Sequence, residues 1–201
     1  CKLINYTLST SCVPTVWHTT ILTPIPNTKT IQSVSDLRPI SVTSILSRIT
    51  EKLVVRDCLS CCLIPSEFEV QYAYKPTGST TCTLVDFNYR ISCLLETNKY
   101  VRCVFIDFSQ AFDRVDHTIQ VEKMMGLDVP PFVIKWIVSF LSRKTQTTRT
   151  AFALSSHRCI NRSLVQGSGI GIGPVLFLLF VRDLKALDVL NYILKYADDC
   201  N

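Results

Sequence analysis

The sequence predicts an α+β fold in which helices pack on one face of a small antiparallel sheet. Two observations carry that expectation. Short apolar runs of strand length alternate with longer stretches whose apolar residues recur every three or four positions. Their order is also mixed (strand, helix, helix, strand, helix, hairpin, helix, strand) rather than a regular βα repeat.

The elements follow in order. "TTILTPIPN" alternates and is bounded by prolines, so it is expected as an edge strand. "SVSDLRPISV" reads as a polar loop leading into another short extended piece. From Ser44 to Cys58, Ile45, Ile49, Leu53 and Val54 recur at helical spacing, with Ser44 as N-cap; Pro65 breaks the pattern. "KPTGSTTCTLVDFNYRISCLLETN" opens as a Gly/Pro loop and continues as a helix. Leu84, Phe87, Ile91, Leu94 and Leu95 line one face of it, and Ser79 or Thr80 caps it. "YVRCVFIDF" is mostly apolar and short, as a central strand is. Asp116 is placed to cap a helix starting near His117, and "PPFVIKWIVSFLSR" is a helix with proline in its first turn. "TQTTRTAFAL" and "SHRCINRSLV" form a hairpin pair of Thr/Arg-rich strands. A Gly-rich turn, "QGSGIGIGP", leads into a helix over Pro174–Leu187, and "NYILKYA" is the last strand.

Composition narrows the function classes. The 201 residues suit one domain or most of one, and 47% apolar against 18% charged residues supplies a core and excludes disorder. The net charge of +5 permits a polyanionic partner without requiring one. The ten cysteines are scattered, and Cys58, Cys61 and Cys62 lack the second half of a zinc site. The thiols are therefore expected reduced, in an intracellular protein of the nucleus or cytoplasm. No apolar run approaches the ~20 residues of a membrane span. The chain starts with Cys and stops beside an acidic pair, and is expected to be a piece of a longer protein.

The chemistry sits at strand ends. "VFID" ends at Asp107, and "KYADD" ends at Asp198 and Asp199. An isolated Asp-Asp reads first as an exposed acidic turn, and a lone strand-end Asp as the cap of the next turn. Side by side in one sheet, the two ends gather three acids that need a cation or strongly raised pKa values. With two Mg²⁺ ions about 3.5–4 Å apart, such a cluster is a phosphoryl-transfer site. Phe112 on residue type is a core aromatic. "QGSGIGIGP" fails both phosphate-loop patterns, yet its bare backbone lets a base or sugar approach, beside Gln166, both donor and acceptor. Arg38 and Lys75, each in a loop, read either as solvated charges or as holders of a triphosphate or nucleic-acid backbone.

Five segments in sequence, "LRPISVTSILSRITEKLV", "QYAYKPTGSTTCTL", "FIDFSQAFDRVDH", "LVQGSGIGIGPVLFLLFVRDL" and "KYADD", resemble the reverse transcriptase domain of non-LTR (LINE-type) retrotransposons, over roughly Val13 to Asn201. The resemblance implies a right-hand polymerase, with 13–100 mainly fingers and 101–201 mainly palm, cut before the thumb. By position it implies Asp107, Asp198 and Asp199 as carboxylates for two Mg²⁺ ions. Phe112 becomes the steric gate against a ribonucleotide. Phe108, Gln166, Gly167, Arg38 and Lys75 become nucleotide-binding residues, and Tyr196 lies near the primer end. The implied reaction is attack of a DNA primer 3′-OH on a dNTP along an RNA template.

The chain departs from the family pattern in three places. Ala73-Tyr74-Lys75 stands where members usually have Gly-Phe-Arg, keeping the charge and losing the bidentate fork. The Gly-rich turn carries an extra Ile-Gly pair, Ile170-Gly171, next to Gln166. The strand expected to pair after Asp199 is missing. These departures open an alternative, a decayed or co-opted relic that binds RNA without chemistry. A group II intron or telomerase relative shares the metal site and fits "SQAFDRVDH" and "FLLFVRDL" less well.

Overall fold

In the computed structural model, the described residues are 2–63, 68–74, 78–164, 171–188 and 190–200, apart from the side chains of Ser35 and Cys62. The elements run α1 (Lys2–Thr10), β1 (Thr19–Pro26), β2 (Leu37–Val42), α2 (Ile45–Val54), α3 (Thr80–Thr97), β3 (Ile106–Asp107), α4 (His117–Met125), α5 (Pro131–Leu141), β4 (Lys144–Thr148), β5 (Arg158–Ile160), α6 (Ile172–Phe180), β6 (Lys195–Tyr196) and β7 (Asp199–Cys200). The α+β class holds. The strands form two sheets, a four-stranded one ordered β2-β1-β4-β5 and a three-stranded antiparallel one ordered β3-β7-β6.

The core is mainly helical. α6 buries Ile172, Val175, Leu176, Phe177, Leu178 and Leu179, an almost all-round apolar surface that only a central helix can carry. α5 starts with proline at its first position and buries Val133, Trp136, Ile137, Phe140 and Leu141. α4 contacts both helices. Its N-cap Asp116 accepts hydrogen bonds from the Thr118 and Ile119 backbone N–H groups, as the sequence predicts. Trp136 stacks on Phe140 at 5.3 Å, and Phe112 stacks on Phe177 at 4.4 Å.

Several expectations are corrected. β1 is interior, antiparallel to β2 and parallel to β4. Its prolines survive because the β4 pairing covers only Thr19–Leu22, so Pro24 and Pro26 have a neighbour on one side alone. Pro24 also faces Pro39, a pairing that avoids a missing donor only where the ladder makes no hydrogen bond. β3 lies at the edge of its sheet, not at the centre. α6 begins at Ile172 and ends at Phe180 rather than spanning Pro174–Leu187. Two ammonium groups collect the carbonyls at its end: Lys123 Nζ donates to Phe180, and Lys195 Nζ to Val181 (3.0 Å) and Leu184 (3.1 Å). The strand after Asp198 is present as β7.

Helix faces differ most from expectation. α2 buries Ser47, Thr50, Glu51 and Val54 and leaves Ile45 and Ile49 exposed. α3 is capped as predicted, with Ser79 accepting from Cys82 N–H, yet it buries only Thr83 and exposes Leu84, Leu94 and Leu95.

Candidate active site

The candidate site is built on the three short strands. β6 and β7 form a hairpin with Tyr196 opposite Asp199 and Lys195 opposite Cys200. β3 adds to the other side of β7, with Asp107 opposite Asp199 and Ile106 opposite Cys200. Directly opposed residues share a face, so Asp107, Asp199 and Tyr196 lie on one side and Ile106, Cys200 and Lys195 on the other. The second face is the inner one at Cys200 and Lys195, which are buried, while Ile106 on the edge strand is exposed and reaches the cleft as well. The pairing register therefore puts two acids and a tyrosine on the same outer face. The face borders a cleft of about 330 Å³ lined by Phe105, Ile106, Asp107, Tyr196 and Asp199.

Asp198 occupies the hairpin turn between Ala197 and Asp199. Ala197 takes φ +56°, at the turn position where primed hairpins favour glycine. Burial pushes the Asp199 carboxyl above its ordinary range, and the negative charges of Asp198 and then Asp107 push it the same way. The three carboxylates thus feel one another. Among the described residues, no three Asp, Glu, His or Cys side chains stand close enough to hold a metal ion. The strands bring the acids into register; they do not close them into a ligand set. The donor set fits a hard divalent cation, because it is all carboxylate oxygen and Asp199 carries uncompensated like charge.

Tyr74, singled out in the sequence only as a departure from the family pattern, belongs to this site. Its hydroxyl pKa is raised, first by burial and then by the charges of Asp198 and Tyr196. Its ring meets Phe112 edge-on at 6.4 Å. Phe112 is 8% exposed, so the core-aromatic reading describes where it sits: under the site, between Tyr74 and Phe177. Phe108 is half-exposed in a second cleft of about 560 Å³, which also touches Asp107 and includes Arg114, Phe177 and Phe180. Asp107 thus stands where two clefts meet.

The remaining expected residues are placed differently. Arg38 is exposed on β2, opposite Ile25 in the four-stranded sheet, and lines neither cleft beside Asp107. Lys75, Gln166 and Gly167 lie outside the described residues, as does Ile170 of the extra Ile-Gly pair. Next to Lys75, Gly78 is sterically fixed, since a Cβ there would sit 1.8 Å from the Tyr72 carbonyl oxygen.

Comparison with known proteins places this geometry. Residues 25–201 match the family described as "Reverse transcriptase (RNA-dependent DNA polymerase)". The chain is 29% identical to the "RNA-directed DNA polymerase from mobile element jockey" of Drosophila melanogaster, with 98% of this chain and 22% of that protein aligned. It is 27% identical to the "Retrovirus-related Pol polyprotein from type-1 retrotransposable element R2" of Popillia japonica, covering 82% of this chain and 23% of that protein. The chain therefore spans about a fifth of the length of these curated relatives. Its fold is shared with Candida tropicalis telomerase, solved with a TWJ fragment of telomeric RNA. The TM-score there is 0.57 at 12% identity, over 99% of this chain and 38% of the telomerase. The apo telomerase gives 0.55 at 11% identity, over 98% of this chain and 42% of that one. With two strand-end acids in register and the family matched over most of its length, the chain belongs to the reverse transcriptase family, alongside the polymerases of non-LTR retrotransposons.

Proposed function

We propose that this chain supplies the fingers (mainly residues 13–100) and palm (mainly 101–201) of an RNA-directed DNA polymerase. It would extend a DNA primer with dNTPs along an RNA template. The observation that carries the reading is the pairing of Asp107 with Asp199 across β3 and β7, with Asp198 next in the turn. Asp107, Asp198 and Asp199 would hold two Mg²⁺ ions, which supply charge neutralisation at the reacting phosphate and a lowered pKa at the attacking hydroxyl. The chain's own part is orientation. Asp107 and Asp199 share a face and line one cleft, and Tyr196 on that face would border the primer end. Phe112 is wedged between Tyr74 and Phe177, and its rigidity suits a gate that reads the sugar 2′ position. Phe108 would border the nucleotide from the second cleft. Arg38, Lys75, Gln166 and Gly167 are proposed to contact the nucleotide on the strength of the family's motif order.

Primer extension on an RNA template with Mg²⁺, with the chain joined to a thumb segment, tests this. Asp198→Ala or Asp199→Ala should each cost at least ~10³-fold, because each removes a ligand from a two-ion site. Extension unchanged by both substitutions overturns the assignment. A second reading, a non-catalytic RNA-binding relic, draws on the unclosed acid set and the extra Ile-Gly pair. Retained RNA binding without extension by the unsubstituted protein, also after deletion of Ile170-Gly171, would select it.

A further inference from the structure

The side chain of Gln71 is 1% exposed and lies against the backbone of the acidic hairpin. Its Oε1 accepts from the Ala197 backbone N–H at 3.0 Å and from the Ala73 N–H at 3.0 Å. Its Nε2 donates to the Ala197 carbonyl at 3.4 Å. One amide thus grips both polar groups of the residue before Asp198, which only a side chain with donor and acceptor together can do. The main chain reinforces the grip. Gln71 bridges Lys195 in parallel, Tyr72 N–H donates to Lys195 O at 3.0 Å, and Lys195 N–H donates to Val70 O at 2.8 Å.

The gripped residue is a strained one. Ala197 holds φ +56°, a left-handed conformation that is strained for an L-residue with a Cβ. Tyr74, three residues beyond Gln71, holds φ +59°. Strain of this kind persists only where the surroundings over-determine it. The hydrogen bonds to Ala197 do so for the turn, and the bond to Ala73 N–H ties in the segment that carries Tyr74. A core-filling residue here would be apolar. A buried amide that binds both backbone groups of one strained turn residue is a specific fixture.

We propose that Gln71 is a positioning residue for the acidic turn. By holding Ala197 through both of its backbone groups, it sets the direction of Asp198 and Asp199 and so determines how well the acids take a divalent cation. The claim about cation affinity rests on the function proposed above; the claim about the turn does not.

The test uses the 201-residue chain and two measurements. The first is amide hydrogen exchange at Ala197. The second is Mn²⁺ binding followed by electron paramagnetic resonance, Mn²⁺ being the probe for the divalent site. In Gln71→Met, exchange at Ala197 should rise at least ~10-fold, since its acceptor is gone, while α5 amides keep their protection. Mn²⁺ affinity should fall at least ~10-fold, and Asp199→Ala should remove the site. Adding Ala197→Gly to Gln71→Met should restore part of the affinity, because glycine relieves the strain that the amide otherwise holds. A residue that merely fills space would show no such rescue. Should Gln71→Met lose α5 protection as well, Gln71→Asn, which keeps the amide but falls one methylene short, is read by the same measurements. Unchanged exchange at Ala197 overturns the positioning role, and so does affinity lost without rescue. A chain with no Mn²⁺ site sensitive to Asp199→Ala would instead overturn the proposed metal-dependent function and the affinity claim, while exchange at Ala197 still decides the grip.

Discussion

Lys144 opens β4 with 1% of its surface exposed, and its ammonium has left water for the Trp17 carbonyl at 3.1 Å and the face of Phe140 at 3.7 Å. Burial pulls its pKa from 10.5 down to about 8, against the stabilising charge of Glu51. The unfolded chain then binds the extra proton between pH 8 and 10.5, so this group's contribution to stability rises with pH across that window. Below pH 8 the buried charge is a constant penalty of about 3 kcal/mol. We expect Lys144→Met to show its largest advantage over the wild type below pH 8 and to lose about 2.5 kcal/mol of it by pH 10. Urea denaturation of both proteins across that range checks this. Gln120 on α4 is the converse case, fully buried with no hydrogen-bond partner for either amide atom among the described residues. Gln120→Met should raise stability by about 1–2 kcal/mol, read as an increase in melting temperature, because it removes a desolvated and unsatisfied amide. At this scale the sequence was most informative at the strand ends. The strand-end positions of Asp107 and Asp199 were legible, but their shared face with Tyr196 was not, because simple alternation pairs Tyr196 with Asp198 and only the turn at Ala197-Asp198 brings Asp199 opposite Tyr196. Gln71 was not legible either, because its role depends on a turn 126 residues away.

At the scale of elements, helix starts were legible and coverage was not, and of the expected caps Ser44 stands at the N-cap of α2 without a side-chain hydrogen bond. Ser79 and Asp116 cap the helices that the sequence assigns them, since a cap is decided by three or four adjacent residues. Which stripe of α2 or α3 is covered depends on segments far away in the chain, and there the apolar pattern misled. On α2 the inward face carries Glu51, whose carboxylate accepts from Ser47 Oγ at 3.0 Å and from the Ile172 N–H at 3.3 Å. A carboxylate at the first turn of α6 opposes the positive end of that helix, directly after the Gly-rich segment. Glu51→Ala should therefore cost about 1–3 kcal/mol in denaturant unfolding, by leaving the α6 N-terminus without its acceptor. It should also lower the Lys144 pKa further, since the Glu51 charge holds that pKa up.

At the scale of the whole molecule, the uncovered apolar side of α3 stands out. Leu84, Val85, Tyr89 and Leu95 are all exposed, continuing to Val104 and Phe105 beside the acidic cleft. Leu95→Lys should leave the unfolding free energy within about 0.5 kcal/mol of the wild type while reducing concentration-dependent association in light scattering. No helix among the described residues is long and apolar enough to cross a membrane.

The four-stranded sheet has a further consequence for how the protein comes off the ribosome. β1 pairs in parallel with β4, and Thr19 bonds to Thr145 across a separation of 126 residues. At translation speeds of about 5–20 residues per second, the nascent β1–β2 hairpin, complete at Val42, waits roughly 5–20 s for β4 to emerge. Throughout that delay one flank of β1 is an open template for foreign strands. Synthesis of this segment therefore passes through an interval of exposure that a chaperone bound to the nascent β1–β2 hairpin would shield.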